Sequence, residues 1–503
     1  MPNVFAPEPP ALPLQLWGTP PGLEQILMQE GVPFRKVVDP HPLAFGGGRF
    51  VLFDGRAVPS RVVRNTLSAA HVAIDVDVLR RESPDGDPFA ALIDTRAARK
   101  TWTIDGERLT ERVSRVNKAA IRRRLIARLR DAVARSGGVW ARLAAYPHPY
   151  RSAFNFRADL DEPYPDDYAR FARARRPIDD CSTHFVSTHA YGKSPAVMAD
   201  LRRIDTQSHG HYHVVYRHDA SNRRNLERAD AILRKNNFTP EGFAAPEGRW
   251  TAGLDRVIEE LGYEYASDFH LGHDDDPFFP WRDGRFSRVL QVPIHPICEG
   301  LFLDAGVSDP GRIARHLIAT VRAKTDAGES AFVYGHPERR LGRFPHVVSA
   351  LADAVADIDR LWRVTLTEFA RWWRWRSQRT WSFVPKGDHK FEVQFDEWDA
   401  RYPLALEIVR GDHVATIPLI DSRQMVRLSD LAYVRKTVRK DGPHPRMAPK
   451  PRGIRSALRA AIDWETVTPL HDLPEDCLRD RIKKRLRFLR ATTAERNGGG
   501  PWR

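Results

Sequence analysis

Between residues 150 and 378 the chain alternates short apolar runs with amphipathic stretches of helical length. That rhythm constrains the fold more than any other feature. Strands joined by intervening helices run parallel, because each helix carries the chain back across one face of the sheet. Strands are expected at His184–Ser187, Gly242–Ala245, Tyr263–Ser267, Val289–Ile294 and Ala331–Gly335, with helices over Asn222–Asn236 and Ala252–Leu261. The fold class that follows is α/β, with a parallel, barrel-like sheet. Such sheets carry their chemistry at the carboxyl ends of their strands.

Several ligand-type side chains fall at those ends. The run Ser-Ala-Phe-Asn-Phe leads into Asp159 and Asp161, and residues two apart on a strand share a face. His209 and His213 are four apart, a spacing that lets two imidazoles meet one ion from a single turn or tight loop. One carboxylate with two histidines is a frequent ligand set for a hydrolytic metal that keeps a position open for water. The other carboxylate is then free to act as a base. His295 and His336 also follow strand-like runs.

These motifs resemble those of the polysaccharide deacetylases, the NodB-homology or carbohydrate esterase family 4 group. Asp159-Leu-Asp161 is similar to the first motif, and His209-Gly-His-Tyr-His213 to the His-x-x-x-His second motif. Gly242-Phe-Ala-Ala-Pro-Glu-Gly248 resembles the third, Tyr263–Asp268 the stretch after it, and Tyr334-Gly-His-Pro-Glu338 the late histidine motif. The resemblance covers a little under half of the chain. It implies a distorted (β/α) barrel and metal-dependent removal of acetyl groups from N-acetylated sugars. It makes Asp161, His209 and His213 the ligands of a divalent metal, zinc first, with Asp159 the general base and His336 the general acid.

One departure matters. Ala244 stands where the family usually has an arginine that steadies the catalytic carboxylate. Arg157, two residues before Asp159 and on the same strand face, is the expected replacement; Arg249 is the other candidate. Glu247, where tyrosine is usual, is expected with Arg249 and His295 along the substrate groove. Asp268 reads as structural, His211 as pointing away, and His270, His273 and Asp274–Asp276 as a solvated loop in preference to a second metal site. Three functions stay open: an N-acetyl-glycan deacetylase, an amidase for a non-sugar amide, and a degenerate barrel that binds glycan without cleaving it.

The flanks divide into an N-terminal α/β unit over 1–145, the barrel over 146–378, a β-rich appendage over 379–440, and a linker with a basic amphipathic helix over 441–503. In the first unit, strands are expected near Leu14–Trp17, Val32–Val38 and Arg49–Phe53, and a helix at Pro21–Glu30. Asp105-Gly106 marks a hairpin, and 111–135 reads as a long basic helix. Gly46-Gly47-Gly48 lacks the Lys-Ser/Thr ending of a phosphate loop and reads as a turn. The tryptophans of 369–376 suit a terminal helix packed on the sheet. The net charge of +14 is spread along the chain without a recognised module, so no nucleic-acid partner is expected. Three cysteines without paired spacing, and no apolar leader or spanning segment, point to a reducing, cytoplasmic setting.

Overall fold

The computed structural model describes residues 12–38, 50–68, 71–81, 86–387, 389–435, 445–448, 468–475 and 478–496. The triple glycine and the first ten residues lie outside them. Four parallel strands open the chain, in the order Phe34–Val37, Leu14–Trp17, Phe50–Phe53, Val72–Asp75. A hairpin follows, Ala97–Ile104 with Glu107–Ser114, turned by Asp105 and Gly106 at φ of 51° and 83°. Both turn residues are left-handed, which matches the twist of the flanking strands. The basic helix is shorter than expected and spans Lys118–Arg135. Residues 111–114 stay in the hairpin because eight cross-strand pairs hold that strand. Asn117 then caps the helix by accepting from the Ala120 N–H.

The barrel strands are β1 (Ser152–Leu160), β2 (Ser182–Val186), β3 (Asp205–Ser208), β4 (Gly242–Phe243), β5 (Tyr265–Ala266), β6 (Leu290–Gln291), β7 (Ala331–Gly335) and β8 (Leu361–Arg363). They pair in the order β6-β5-β4-β3-β2-β1-β7, all parallel, and β8 also pairs with β1. The two sheet edges meet where the His295 N–H donates to Phe332 O of β7 at 2.8 Å. Every residue of β1 is buried, so it is the axis of the core. At its lower end Asn155 donates to Cys181 O, Thr183 Oγ1 and Val364 O at 3.0, 3.2 and 3.0 Å, tying neighbouring segments to β1. Gly242 in β4 must lack a side chain, since a Cβ there would lie 2.1 Å from the Tyr265 ring.

Helix Leu366–Ser377 closes the barrel, with Phe369, Trp372 and Trp373 buried. From this helix Arg376 donates to the carbonyls of Ala144, Leu143 and Gln29 at 2.7, 2.9 and 3.2 Å. Two small sheets follow. Trp381–Pro385, Lys390–Phe395 and Arg423–Arg427 form one. Ala405–Arg410, His413–Pro418 and Val434–Arg435 form the other, and its outer strand is Trp140–Leu143 from before the barrel. Within the segment expected as a linker, Arg446–Met447 pairs with the N-terminal hairpin. Among the described residues no helix is long and apolar enough to cross a membrane.

The acidic loop is a correction. Asp275 is 9% exposed, and Arg122 of the basic helix bridges it to Asp276 and Glu30. Asp274 pairs with Lys324 Nζ at 3.0 Å. The loop is therefore an ionic joint between the N-terminal unit and the barrel, rather than a solvated turn.

Candidate active site

Arg157, Asp159 and Asp161 project from one face at the top of β1 and just beyond it, as their two-residue spacing requires. Arg157 is fully buried. Its Nε and Nη2 donate to the two oxygens of Asp159, each at 2.6 Å, and its Nη1 donates to Ser267 O. The guanidinium lies 4.9 Å from the Phe185 ring centroid and 5.5 Å from that of Tyr334. Burial opposes its charge, but Asp159 outweighs this and holds its pKa above the ordinary arginine value. Two parallel N–H···O bonds fix both the position and the plane of the carboxylate.

The loop after β3 supplies the histidines. The His209 N–H bonds Val186 O at 3.1 Å, and Gly210 turns the chain at φ 83°. Asn225, on helix Asp219–Lys235, clamps the loop by accepting from the Tyr212 N–H at 2.8 Å and donating to Tyr212 O at 3.1 Å. His209 Nδ1 lies 2.7 Å from Ala244 O. A carbonyl only accepts, so Nδ1 carries a proton and Nε2 is the nitrogen turned toward Asp161. Asp268 fixes that same turn, since its Oδ1 accepts from the Ala245 N–H at 2.8 Å. Burial pushes the Asp268 carboxyl up to about 7.

Asp161 Oδ1 lies 3.2 Å from His209 Nε2 and 3.4 Å from His213 Nε2. It is nevertheless buried without a hydrogen-bond partner. Burial raises the Asp161 pKa, and the facing imidazoles, His213 first, overturn this and hold it well below the usual carboxylate range. One ligand atom from each of the three side chains falls within 4.8 Å of the others. An orphaned carboxylate oxygen facing two imidazole nitrogens fits a divalent cation. His211 turns away, with its Nδ1 2.9 Å from Thr188 Oγ1.

His336 follows β7 on the other side of Asp161, with Nε2 3.7 Å from Asp161 Oδ2. Its Nδ1 lies 2.9 Å from Glu299 Oε1, which also accepts from the His336 backbone N–H at 2.9 Å. Burial and the Arg340 guanidinium, 2.8 Å from Nδ1, pull the His336 pKa down. Glu299 and Cys298 outweigh them, and the net shift is well above the ordinary histidine value. Glu299 is 1% exposed and went unrecognised in the sequence. The available signal is a lone carboxylate opening helix Glu299–Asp304 after an apolar run. Glu338 is likewise buried, and Tyr191 Oη donates to its Oε1 at 2.8 Å.

Glu247 and Arg249 are exposed and line a cleft that opens beside His213. Arg249 is directed to Val215 O and does not bond Asp159. His295 is not brought to this group. Its Nδ1 is 3.1 Å from both oxygens of Asp274, and its backbone joins the barrel seam at Phe332, four residues before His336.

No family model matches the sequence, and no curated protein matches it. Solved structures do. The barrel is similar to polysaccharide deacetylases and family 4 carbohydrate esterases. A probable polysaccharide deacetylase from Pseudomonas aeruginosa PAO1 is 17% identical, with 46% of this chain and 94% of that chain covered and a TM-score of 0.39. Puue allantoinase is 17% identical over 47% of this chain and 94% of its own, with a TM-score of 0.40. A family 4 carbohydrate esterase from Streptomyces lividans, in complex with acetate, is 13% identical over 42% and 91%, with a TM-score of 0.31.

Proposed function

We propose that the chain is a metal-dependent hydrolase that removes N-acetyl groups from a glycan or glycan precursor. The observation that carries this is Asp161 Oδ1, buried and unpartnered between two imidazole nitrogens, with the Arg157–Asp159 fork beside it. Held by Asp161, His209 and His213, a divalent metal, zinc first for this donor set, would supply a Lewis acid that activates water and polarises the acetyl oxygen.

The protein's own groups supply the rest. Asp159 keeps a lone pair on each oxygen after accepting from Arg157, and takes a proton from the attacking water. Arg157 holds that carboxylate in place and aims it, the task the Ala244 position leaves vacant. His336 stands on the opposite side of Asp161, protonated, and gives its proton to the departing nitrogen. Glu299 accepts from Nδ1 and so turns Nε2 toward the reacting bond. The amide C–N bond breaks, a C–O bond forms to the water oxygen, and acetate and a free amine leave.

Zinc-loaded, desalted protein is expected to retain about one ion per chain and to release acetate from N-acetylated chito-oligosaccharides. A chelator should abolish turnover and added zinc restore it. Oligosaccharide binding without acetate release would instead make the barrel a recognition module. Glu299→Gln removes the charge that supports His336 while keeping its shape. It is expected to lower kcat by about ten- to a hundredfold with KM little changed. A kcat within twofold of the unaltered enzyme would remove Glu299 from the mechanism.

A further inference from the structure

The cleft beside His213 has two walls from distant parts of the chain. Glu247 and Arg249 stand on the barrel side, with Leu473, Asp480 and Lys483 facing them from the C-terminal segment. The space between them is about 560 Å³, open mouth included.

The C-terminal wall is anchored. Tyr216 Oη donates to Asp472 O at 2.9 Å. Thr468 is fully buried and Leu473 is 6% exposed. Helix Leu478–Arg496 folds back on its own lead-in, with Arg487 Nη1 donating to Thr468 O at 2.7 Å and Lys484 paired with Glu475 at 2.6 Å. Asp480 and Lys483 are three apart on this helix and so share a face. On the opposite wall Glu247 holds a left-handed φ of 59°, a conformation that a non-glycine residue adopts at a cost and that concentrates at ligand-contacting positions.

Each wall offers one acid and one base. The cleft therefore carries many donors and acceptors and no net charge, which suits a neutral, hydroxyl-rich ligand better than a polyanion. We propose that residues 468–475 and 478–496 form the second wall of the substrate cleft, and that Asp480 and Lys483 bind the sugar ring next to the N-acetylated one. This rests on the deacetylase reading above. It makes the C-terminal helix a determinant of chain-length preference, with oligomers of two or more rings favoured over a single sugar.

The test is kcat and KM of the zinc-loaded, full-length protein for N-acetylglucosamine oligomers of one to four rings. Lys483→Ala and Asp480→Ala are each expected to raise KM for the tetramer about five- to tenfold, with kcat within twofold and the monomer unaffected. Lys483→Arg should restore most of the loss. Unaltered tetramer KM in both alanine variants overturns the proposal, as does an equal shift for monomer and tetramer. Wild-type protein that turns over none of the oligomers removes the deacetylase reading and takes this proposal with it.

Discussion

Asp161→Ala is expected to lower deacetylation by roughly a thousandfold or more and to release the bound ion. The substitution deletes the only carboxylate of the ligand set and leaves His209 and His213 as a two-nitrogen site. It also removes the orphaned oxygen, so the fold should survive. The His209 loop is held by Asn225 and by the Ala244 carbonyl, neither of which involves Asp161. Metal content and acetate release, measured on the same preparation, check both halves. Turnover within tenfold of the unaltered enzyme would exclude Asp161 as a ligand that matters to the chemistry.

The second large effect falls on Arg157. Its guanidinium is fully buried, and Arg157→Ala leaves Asp159 charged in the barrel interior with neither of its two donors. Breaking a buried pair from one side costs about 3–5 kcal/mol, because the remaining charge is uncompensated. The urea midpoint should fall accordingly. Turnover should fall about a hundredfold or more, since the base loses its two fixed hydrogen bonds and its plane. Arg157→Lys keeps the charge but cannot form the fork, and should recover stability more than activity. The paired change Arg157→Met with Asp159→Asn removes the uncompensated charge and should regain much of the stability while staying inactive. Undiminished turnover in Arg157→Ala would end the idea that it replaces the missing third-motif arginine.

What the sequence made legible was the local part of this arrangement. The spacing of Arg157, Asp159 and Asp161 states their shared face directly, because a strand alternates its side chains. Ala331–Gly335 was readable as an apolar run bounded by turn residues. What depended on distant partners was not readable. The composition of Asp274–Asp276 suggests a solvated loop, yet its counter-charges come from Arg122, 153 positions from Asp275, and from Lys324. Glu299 gains its importance only because the chain brings it under His336, 37 positions later. His295 has a histidine's usual credentials at a strand-like end, but the seam of the barrel engages it elsewhere. Trp140–Leu143 pairs with a strand some 265 positions away, and no local pattern announces that.

The central strand also bears on how the protein is made. β1 is completely buried, yet its neighbour on one side, β7, is encoded about 170 residues further along. On a ribosome adding roughly 5–20 residues per second, that edge stays uncovered for roughly ten to thirty seconds. During that interval the β7-facing edge, five residues over Phe154–Ala158, is available to any other extended chain. Chaperones in supply during synthesis should therefore raise the yield of native protein more than any adjustment of the surface.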